Sequence, residues 1–314
     1  MLNKLVKNIV LASKNGFETE SLLVGGLGRV TAVEKNRQER YILRKQNKDG
    51  GFSGRLGYSD MYYTAFAAKA MLMLNAGNAG FWKKLASFAG SYKVSEMGLS
   101  GLASFLQVLD ILEKKKQISA AKEIRNETLE LLGQYEDRTG GYLKSPLDTK
   151  MSLYNSFLAM LCLSKLKVNY PNREKTAVKI IKRQRRDGGF SDMGYDSYGQ
   201  SNPSAAAVMT LYVFDRLSNV AKSKAVKYFS GMQVSSGGFL AHKKAPVPDL
   251  LSTYTVLLTL KALGCLGKAD EEQALKFVRS LMLAGGGFKS VQIDNNSDLE
   301  YTYYGLGCLG LLEK

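Results

Sequence analysis

The sequence predicts an all-α protein of the α/α toroid class, built from six helical hairpins that form an inner and an outer ring. Three observations lead to this prediction: a glycine turn that recurs at a nearly constant interval, an apolar helical segment after each turn, and a more charged helical segment before it. The turn sets the length of the repeating unit, and the two kinds of segment indicate which helices are buried.

The recurring turn has the pattern Gln-x-x-x-Gly-Gly-aromatic and is clearest at residues 184–190. Further copies run over residues 46–52, 134–142 with two extra residues, 233–239, and 282–288 with Met in place of Gln. The second glycines of the last four copies are 48, 49 and 49 residues apart, and the first interval, 90 residues, is close to two repeats. A degenerate copy is therefore expected near residues 91–100, which gives six units.

Each unit is predicted to be a helix, a glycine turn and a second helix. Paired glycines adopt positive φ without a Cβ clash and so end the first helix, and the aromatic residue after them folds back as an apolar plug. The second helix often opens with an aspartate, at Asp60, Asp249, Asp298 and, less clearly, Asp148. An N-cap aspartate accepts hydrogen bonds from unpaired backbone N–H groups, which stabilises a helix by about 1 kcal/mol.

The chain divides into an extension and a repeat region. Apolar residues with helical spacing between Leu2 and Val10 predict an amphipathic helical extension over residues 1–30, which covers an end of the repeats or touches a membrane. Residues 31–314 are predicted to form the six-repeat toroid. Its helices are expected at residues 30–45, 60–74, 80–89, 98–112, 119–133, 151–166, 173–183, 203–217, 219–231, 249–263, 270–282 and 298–312.

The two sets of helices differ in composition. Helices after the turns are rich in small and apolar residues, as at residues 65–68 and 205–208, whereas those before the turns carry Lys, Arg and Glu on one face. A helix that is apolar nearly all round is buried on all sides, and one with a charged stripe lies outside. Since the first helix of the repeats is an outer one and the last is an inner one, the last unit can close on the first.

Composition narrows the function classes. No apolar run approaches the roughly 18 residues of a membrane span, and no signal peptide or prenylation motif is convincing, so a cytoplasmic protein is expected. Cys162, Cys265 and Cys308 lie far apart in apolar helices, which favours reduced core cysteines. The formal net charge of +16 has three open explanations: a solubilising surface, a surface for anionic lipid or nucleic acid, or a site for a phosphorylated ligand. Nucleic acid is disfavoured, because the basic residues are not interleaved with aromatic residues.

The repeats resemble those of protein prenyltransferase β subunits and of squalene-cyclase-type terpene cyclases, which share an α/α toroid. The resemblance covers about residues 46–312 and is carried by the recurring Gln-x-x-x-Gly-x-aromatic turn. Both families have signatures that are missing here. In the prenyltransferases an Asp and a Cys two residues apart and a later His hold zinc, whereas Asp249 is followed by Leu251, and Tyr301 stands at the His position. The Asp-x-Asp-Asp acid of the cyclases is absent as well.

The resemblance implies a diphosphate site without a metal ligand set. A single carboxylate does not hold zinc, so no metal site or cofactor is expected, although Mg²⁺ is compatible with a diphosphate substrate. The family's diphosphate-binding His of the fourth repeat falls near Tyr198, and its basic contacts in the fifth loop fall near His242 and Lys244, beside Lys243. Inner-helix N-termini carry positive dipole ends, which favour an anion at the same mouth of the ring.

A set of tyrosines near the starts of the inner helices has two explanations. Aromatic side chains commonly pack between helices, but they also form cavity walls that accept an isoprenoid tail and stabilise a cation. The residues are Tyr63, Tyr154, Tyr254, Tyr301, Tyr303 and Tyr304. Asp249 is the best single candidate for an acid or base, since it lies nearest to the basic loop, although an N-cap role is the more common explanation for such an aspartate.

The favoured hypothesis is an isoprenoid-handling enzyme similar to prenyltransferases and terpene cyclases, which binds a prenyl diphosphate in a central aromatic cavity. The alternative is a non-catalytic toroid that binds a hydrophobic ligand or a partner protein. The resemblance also implies a helical partner subunit as one possible associate, and the N-terminal helix allows peripheral contact with a membrane.

Overall fold

A computed structural model of the chain describes residue 23 and residues 26–118 and 122–313. The amphipathic helix predicted from residues 2–10 lies outside the described residues. Each of the twelve helices predicted for the repeats is confirmed, with ends shifted by a few residues. They are α1 (Ala32–Arg44), α2 (Met61–Met73), α3 (Ala79–Gly90), α4 (Leu99–Lys114), α5 (Lys122–Tyr135), α6 (Leu153–Lys165), α7 (Arg173–Ile181), α8 (Ser201–Val213), α9 (Asn219–Ser230), α10 (Leu250–Ala262), α11 (Glu271–Ser280) and α12 (Leu299–Leu312).

Short extended segments fasten the loops between turns and inner helices. In the third repeat β1 (Tyr142–Leu143) pairs antiparallel with β2 (Met151–Ser152), and in the last repeat β3 (Phe288–Lys289) pairs antiparallel with β4 (Ser297–Asp298). Three 3₁₀ helices, Leu27–Arg29, Val94–Glu96 and Leu266–Lys268, complete the described elements. Among the described residues, no helix combines the length and the apolar character that crossing a bilayer requires.

The first glycine of each turn is required by both conformation and space. Gly188 and Gly237 have φ of +94° and +92°, which side-chain-bearing residues rarely adopt. A Cβ at Gly188 would lie 2.3 Å from the Lys224 carbonyl oxygen, and one at Gly237 would lie 2.0 Å from the Gln273 carbonyl oxygen. The turn therefore packs directly against the backbone of the next outer helix, and this close approach sets the spacing between repeats.

Two kinds of side-chain hydrogen bond recur in the glycine turns. The Gln233 amide donates to the Gly237 carbonyl at 3.0 Å and to the Asp270 carbonyl at 2.9 Å, which joins the turn to the start of α11. The N–H of the buried aromatic residue donates to a hydroxyl of the following inner helix, as from Phe239 to Thr253 Oγ1 at 3.0 Å. Equivalent bonds occur in the other four glycine turns. The aromatic plug predicted from the sequence is thus confirmed, and a hydroxyl that was not predicted anchors it.

Two details of the third repeat were predicted wrongly. Glu136, rather than Gln134, pairs with Tyr142 in the way that Gln184 pairs with Phe190, so the turn contains no extra residues. The N-cap of α6 is Ser152, whose hydroxyl accepts the Asn155 N–H at 3.1 Å, and not Asp148. The sequence pattern misleads because Glu and Ser replace the residues found in the other copies.

The described chain falls into two compact units. Unit 1 contains residues 132–277, and unit 2 contains the described residues up to 131 together with residues 278–313. In unit 1, α8 packs against both α6 and α10; in unit 2, α2 packs against both α4 and α12. Of thirteen residues each, α2 buries ten and α1 buries three. The distinction between inner and outer helices is therefore confirmed.

The first and last repeats meet inside unit 2. The Gly287 N–H donates to the buried Gln38 Oε1 at 2.7 Å, which joins the last turn to α1. Arg279 Nη1 lies 3.0 Å from the Glu34 carboxylate, and Arg55 pairs with Asp294 at 2.5 Å. The expectation that the last unit packs on the first is confirmed by these contacts.

Candidate functional site

Four side chains of unit 1 form the basic loop cluster: Tyr198, His242, Lys243 and Lys244. The His242 and Tyr198 rings lie 5.5 Å apart, centroid to centroid. The Lys243 and Lys244 ammonium groups lie 5.4 and 5.1 Å from the centroid of the Tyr198 ring, within the range of cation–π contacts. Both lysines are exposed and His242 is half-buried. The structure thus brings together the three basic residues and the tyrosine that the sequence singled out.

The start of α8 holds this loop in place. Ser201 donates its N–H to the Ala241 carbonyl at 2.7 Å and its hydroxyl to the Leu240 carbonyl at 2.6 Å. The Lys244 N–H donates to His242 Nδ1 at 3.2 Å, which makes this ring nitrogen the acceptor. The proton of the neutral imidazole then lies on Nε2, so that nitrogen is a donor for an anion.

Asp249 caps α10 and is half-buried. Its carboxylate accepts hydrogen bonds from the Ser252 N–H at 2.7 Å and from the Ser252 hydroxyl at 2.8 Å. Burial raises the pKa of Asp249, and the Ser252 hydrogen bonds oppose that increase. The N-cap role predicted for Asp60, Asp249 and Asp298 is confirmed, since each accepts the N–H of the third residue of its helix. A carboxyl group of raised pKa is nevertheless suited to proton exchange.

The remaining tyrosines predicted in unit 1 differ in exposure. Tyr154, near the start of α6, exposes 42% of its surface, whereas Tyr254 in α10 exposes 4%. The Tyr154 N–H donates to Asp192 Oδ1 at 3.1 Å, which fixes the backbone that carries its ring. Tyr154 is therefore accessible to a ligand, and the burial of Tyr254 favours the packing explanation for that residue.

The inner helices α2 and α12 of unit 2 carry a second group, the phenol–carboxylate cluster of Tyr62, Glu300 and Tyr304. The Tyr62 hydroxyl donates to Glu300 Oε1 at 2.8 Å, and the Tyr304 hydroxyl donates to the same oxygen at 3.1 Å. The predicted residues Tyr63 and Tyr301 flank it, with ring centroids 5.5 Å from Tyr62 and 6.2 Å from Tyr304 respectively. The tyrosines predicted in unit 2 thus gather around a carboxylate that the sequence did not predict.

Apolar rings and one buried cation surround this cluster. The Phe66 ring lies 4.9 Å from that of Tyr62, 5.5 Å from Tyr303 and 5.4 Å from Tyr304. Lys69 is only 9% exposed, and its ammonium lies 4.4 Å from the Phe66 centroid and 4.1 Å from the Tyr303 centroid. Contacts of this kind with ring faces partly offset the cost of burying an ammonium group.

The environment of Glu300 favours its protonated form. Burial raises the pKa of Glu300, the hydrogen bond from Tyr62 opposes that increase, and the negative charge of Asp298 adds to it. The positive charge of Lys69 lowers the pKa, but the net shift is upward. The carboxyl group is therefore a better proton acceptor than an ordinary glutamate.

Sequence reasoning missed Tyr62, Lys69 and Glu300. Two signals point to them. Lys69 is a lone cation within an apolar helix, and Glu300 precedes Tyr304 by four residues, the spacing at which helical side chains meet. The contact between Tyr62 and Glu300 joins residues 238 positions apart and leaves no local trace.

The cysteines and the possible metal ligands do not indicate a reactive thiol or a metal site among the described residues. Cys162 and Cys308 are buried and Cys265 is half-buried, all three as free cysteines. Burial raises the pKa of Cys162 to about 12, which suppresses thiolate chemistry. Within residues 26–118 and 122–313, no three His, Cys, Asp or Glu side chains are grouped to hold a metal ion.

Comparison with known proteins identifies the fold. The family model for the prenyltransferase alpha-alpha toroid domain matches residues 10–89, 79–242 and 205–314. No curated protein matches the chain in sequence. The all-α, α/α toroid fold class and the resemblance stated from the sequence are therefore confirmed.

Solved structures show the same fold at low sequence identity. Candida albicans protein geranylgeranyltransferase-I complexed with GGPP superposes with a TM-score of 0.68 at 15% identity, over 88% of this chain and 90% of that chain. A variant of the type II terpene cyclase MstE from Scytonema, in complex with geranylgeranyl dihydroxybenzoate, gives a TM-score of 0.60 at 12% identity, over 95% and 99% of the two chains. A protein from Actinoplanes gives 0.59 at 14% identity, over 90% and 99%.

Proposed function

Since this chain belongs to the prenyltransferase α/α toroid family, we propose that it is an isoprenoid-handling enzyme that binds a prenyl diphosphate. The observation that carries the proposal is the basic loop cluster, in which two exposed lysines and a histidine surround one tyrosine ring. Ammonium groups and an imidazole N–H are suitable donors for diphosphate oxygens, and charge-assisted hydrogen bonds are stronger than neutral ones. The nearby N-terminus of α8 adds a favourable dipole.

An accessible aromatic side chain supports an apolar tail on the same ligand. Tyr154, which lies in the same unit as the basic loop cluster, exposes 42% of its surface. Two relatives of the same fold are seen with geranylgeranyl compounds, which makes an isoprenoid the first ligand to test. Transfer or cyclisation would proceed without zinc, and Mg²⁺ bound with the diphosphate would neutralise part of its charge.

The test is release of pyrophosphate. Purified protein is incubated with farnesyl or geranylgeranyl diphosphate and Mg²⁺, and free pyrophosphate is measured against a protein-free blank. Time-dependent release above the blank is expected. Binding without release would instead favour the second candidate, a non-catalytic toroid. This candidate is supported by Asp249, because both of its carboxylate oxygens already accept hydrogen bonds from Ser252.

Asp249 is the proposed acid or base of this reaction. Asp249→Asn keeps an N-cap of equal quality but removes the ionisable group. We expect thermal stability to be nearly unchanged and pyrophosphate release to fall by about a hundredfold, the usual size of a general acid–base contribution. Unchanged release would leave Asp249 with its capping role alone.

We further propose that the protein is cytoplasmic and that its net positive charge favours binding to an acidic helical partner subunit or to the surface of an anionic membrane. Co-sedimentation with phosphatidylserine vesicles at low and high salt would test membrane binding, which should weaken as salt screens the lysine charges.

A further inference from the structure

We propose that the loop surface of unit 1 binds an anionic membrane, with the side chains of Leu147 and Tyr195 inserted among the lipids. The loop surface consists of the three loops that connect glycine turns to inner helices in this unit, residues 144–150, 191–200 and 240–248. Membrane association is part of the proposed function, on which this inference rests; the contact surface and the inserted side chains are new.

The most exposed apolar side chains of the described chain lie in loops of this kind. The five large apolar side chains with the greatest exposed fractions are all found between a glycine turn and the following inner helix. They are Tyr58 at 96%, Leu56 and Leu147 at 93%, Ile293 at 80% and Tyr195 at 71%. Single apolar residues on a surface need no explanation, but their concentration in one kind of loop indicates a common type of contact.

Contacts between side chains join the three loops of unit 1 into one surface. The Lys150 ammonium lies 4.6 Å from the centroid of the Tyr195 ring, which joins the first loop to the second. The Lys244 ammonium lies 5.1 Å from the centroid of the Tyr198 ring, which joins the second loop to the third. Leu147 and Tyr195 therefore stand on adjacent loops of the same surface.

The exposed charges on this surface are all positive. The residues of the three loops that are exposed and charged at neutral pH are Lys144, Lys150, Lys243 and Lys244. The acidic residues in the same ranges are half-buried, namely Asp148, Asp192 and Asp196. Lysines close to an anionic bilayer strengthen binding electrostatically, and tyrosine is enriched at the membrane–water interface. Charge and apolar residues thus complement the same partner, a bilayer that contains anionic lipid.

A membrane matches this surface better than another protein does. The core of a protein interface is a contiguous apolar area that is depleted in lysine. Leu147 and Tyr195 stand instead on separate loops with lysines beside them. A bilayer accepts isolated apolar side chains between its headgroups, while nearby cations contact the anionic lipids.

The test compares two double variants of unit 1 in co-sedimentation of the full-length protein with vesicles of phosphatidylserine and phosphatidylcholine. Leu147→Ser with Tyr195→Ser should weaken binding at least about tenfold, because two apolar side chains no longer leave water. Val178→Ser with Val220→Ser is the control, since these valines are 52% and 66% exposed on α7 and α9. The control should bind like the wild type, and equal losses in both variants would overturn the loop surface.

Insertion is measured directly with a tryptophan in the first loop. Leu147→Trp should lose fluorescence on vesicles of phosphatidylserine and brominated phosphatidylcholine, because the bromine atoms quench an indole that enters the bilayer. Val220→Trp should keep its fluorescence, and Trp82 gives both variants the same background because it is buried. Equal quenching of the two variants, or no quenching of Leu147→Trp, would overturn the insertion.

Two lysines outside the basic loop cluster test the electrostatic contribution. Lys144→Ala with Lys150→Ala should weaken binding to the phosphatidylserine vesicles at least about tenfold. The affinity for farnesyl diphosphate in solution, measured by titration calorimetry, should stay unchanged. Unchanged vesicle binding, or equal binding of the wild type to vesicles of phosphatidylcholine alone, would overturn the preference for anionic lipid.

Failure of this inference is distinguishable from failure of the proposed function. If the wild type binds vesicles and Leu147→Ser with Tyr195→Ser binds equally well, the loop surface is overturned while membrane association stands. If the wild type binds no anionic vesicles, both are overturned, and an acidic protein becomes the partner to test on this surface. The proposed enzymatic activity is tested separately, since pyrophosphate release is measured without vesicles.

Discussion

In unit 1 the two lysines of the basic loop cluster stand on a loop and are exposed, whereas in unit 2 the phenol–carboxylate cluster stands on helices, with Tyr304 buried and Tyr62 and Glu300 half-buried. Both follow a glycine turn and lie at or near the start of an inner helix. A solvated loop carries adjacent lysines at little cost, but a buried helical position needs hydrogen bonds to each ionisable group. One repeated hairpin therefore supports both an exposed basic loop and a half-buried carboxylate held by phenols.

The exposed lysines and the carboxylate on helices differ in the interactions that they can make. Exposed lysines attract a charged ligand over a distance and are weakened by salt. A half-buried carboxylate held by two phenols depends on hydrogen-bond geometry and is less affected by salt than an exposed charge. The two clusters should accordingly respond differently to salt, pH and conservative substitution.

The largest effect is expected from the turn that supports the basic loop cluster. Gly237→Ala would combine a positive φ with a Cβ placed 2.0 Å from the Gln273 carbonyl oxygen, so backbone atoms must move. We expect a loss of about 3 kcal/mol or more in the free energy of unfolding, measured in urea, from strain and overpacking together.

Gly267→Ala is the control in the same unit, because a Cβ there meets no atom within 4 Å and φ is not positive. It should change the free energy of unfolding by less than about 0.5 kcal/mol. A small loss for Gly237→Ala would mean that the turn can shift away from α11, and the close approach would not set the repeat spacing.

The next effect concerns the lysines themselves. Removing both ammonium groups with Lys243→Ala and Lys244→Ala should weaken binding of farnesyl diphosphate about tenfold to a hundredfold, with little change in stability, because both side chains are exposed. The difference from wild type should shrink at high salt.

Lys83→Ala with Lys84→Ala is a matched control, since it removes another adjacent, exposed pair of lysines from α3. It should retain the wild-type affinity measured by the same titration. If both double variants lose affinity equally, the effect comes from overall charge, and the basic loop cluster is not a specific site.

A smaller effect is expected in the pH dependence of unit 2. Because the folded-state pKa of Glu300 lies above its ordinary value of 4.5, the unfolded chain releases this proton first as pH rises. Wild-type stability should therefore fall, relative to that of Glu300→Gln, as pH increases from about 4.5 through the raised folded-state pKa. Urea unfolding at a series of pH values measures this difference, and a constant difference would show that the carboxylate is not desolvated.

The helices and turns were predictable because their signals are local. Paired glycines, capping aspartates and apolar periodicity each act within a few residues, so Asp60, Asp249 and Asp298 could be assigned as caps. The basic loop cluster was also predictable, since Lys243 and Lys244 stand in a loop that the repeat defines. The partner of Tyr62 was not, because Glu300 reaches it only when α2 and α12 pack together.

The turns that carry the two regions also differ, and this leads to the smallest effect. In the fourth repeat, Asp187 Oδ1 accepts the Gly189 N–H at 3.0 Å, so the turn satisfies this group itself. In the last repeat Gly285 stands at the aspartate position, and Gln38 of α1 accepts the Gly287 N–H instead. The turn before α12 thus depends on the first repeat for a bond that the turns at residues 46–52 and 184–190 make internally.

Gly285→Asp should restore the internal bond without strain, because a Cβ at this position meets no atom within 4 Å. With Gln38 still present, we expect a gain of at most about 0.5 kcal/mol, mainly from the lower chain entropy of the unfolded state. In a Gln38→Ala background, which leaves the Gly287 N–H without its acceptor, the same change should recover about 1 kcal/mol. A double-mutant cycle in urea measures the coupling, and additive effects would show that Gln38 supports the turn through packing and not through its hydrogen bond.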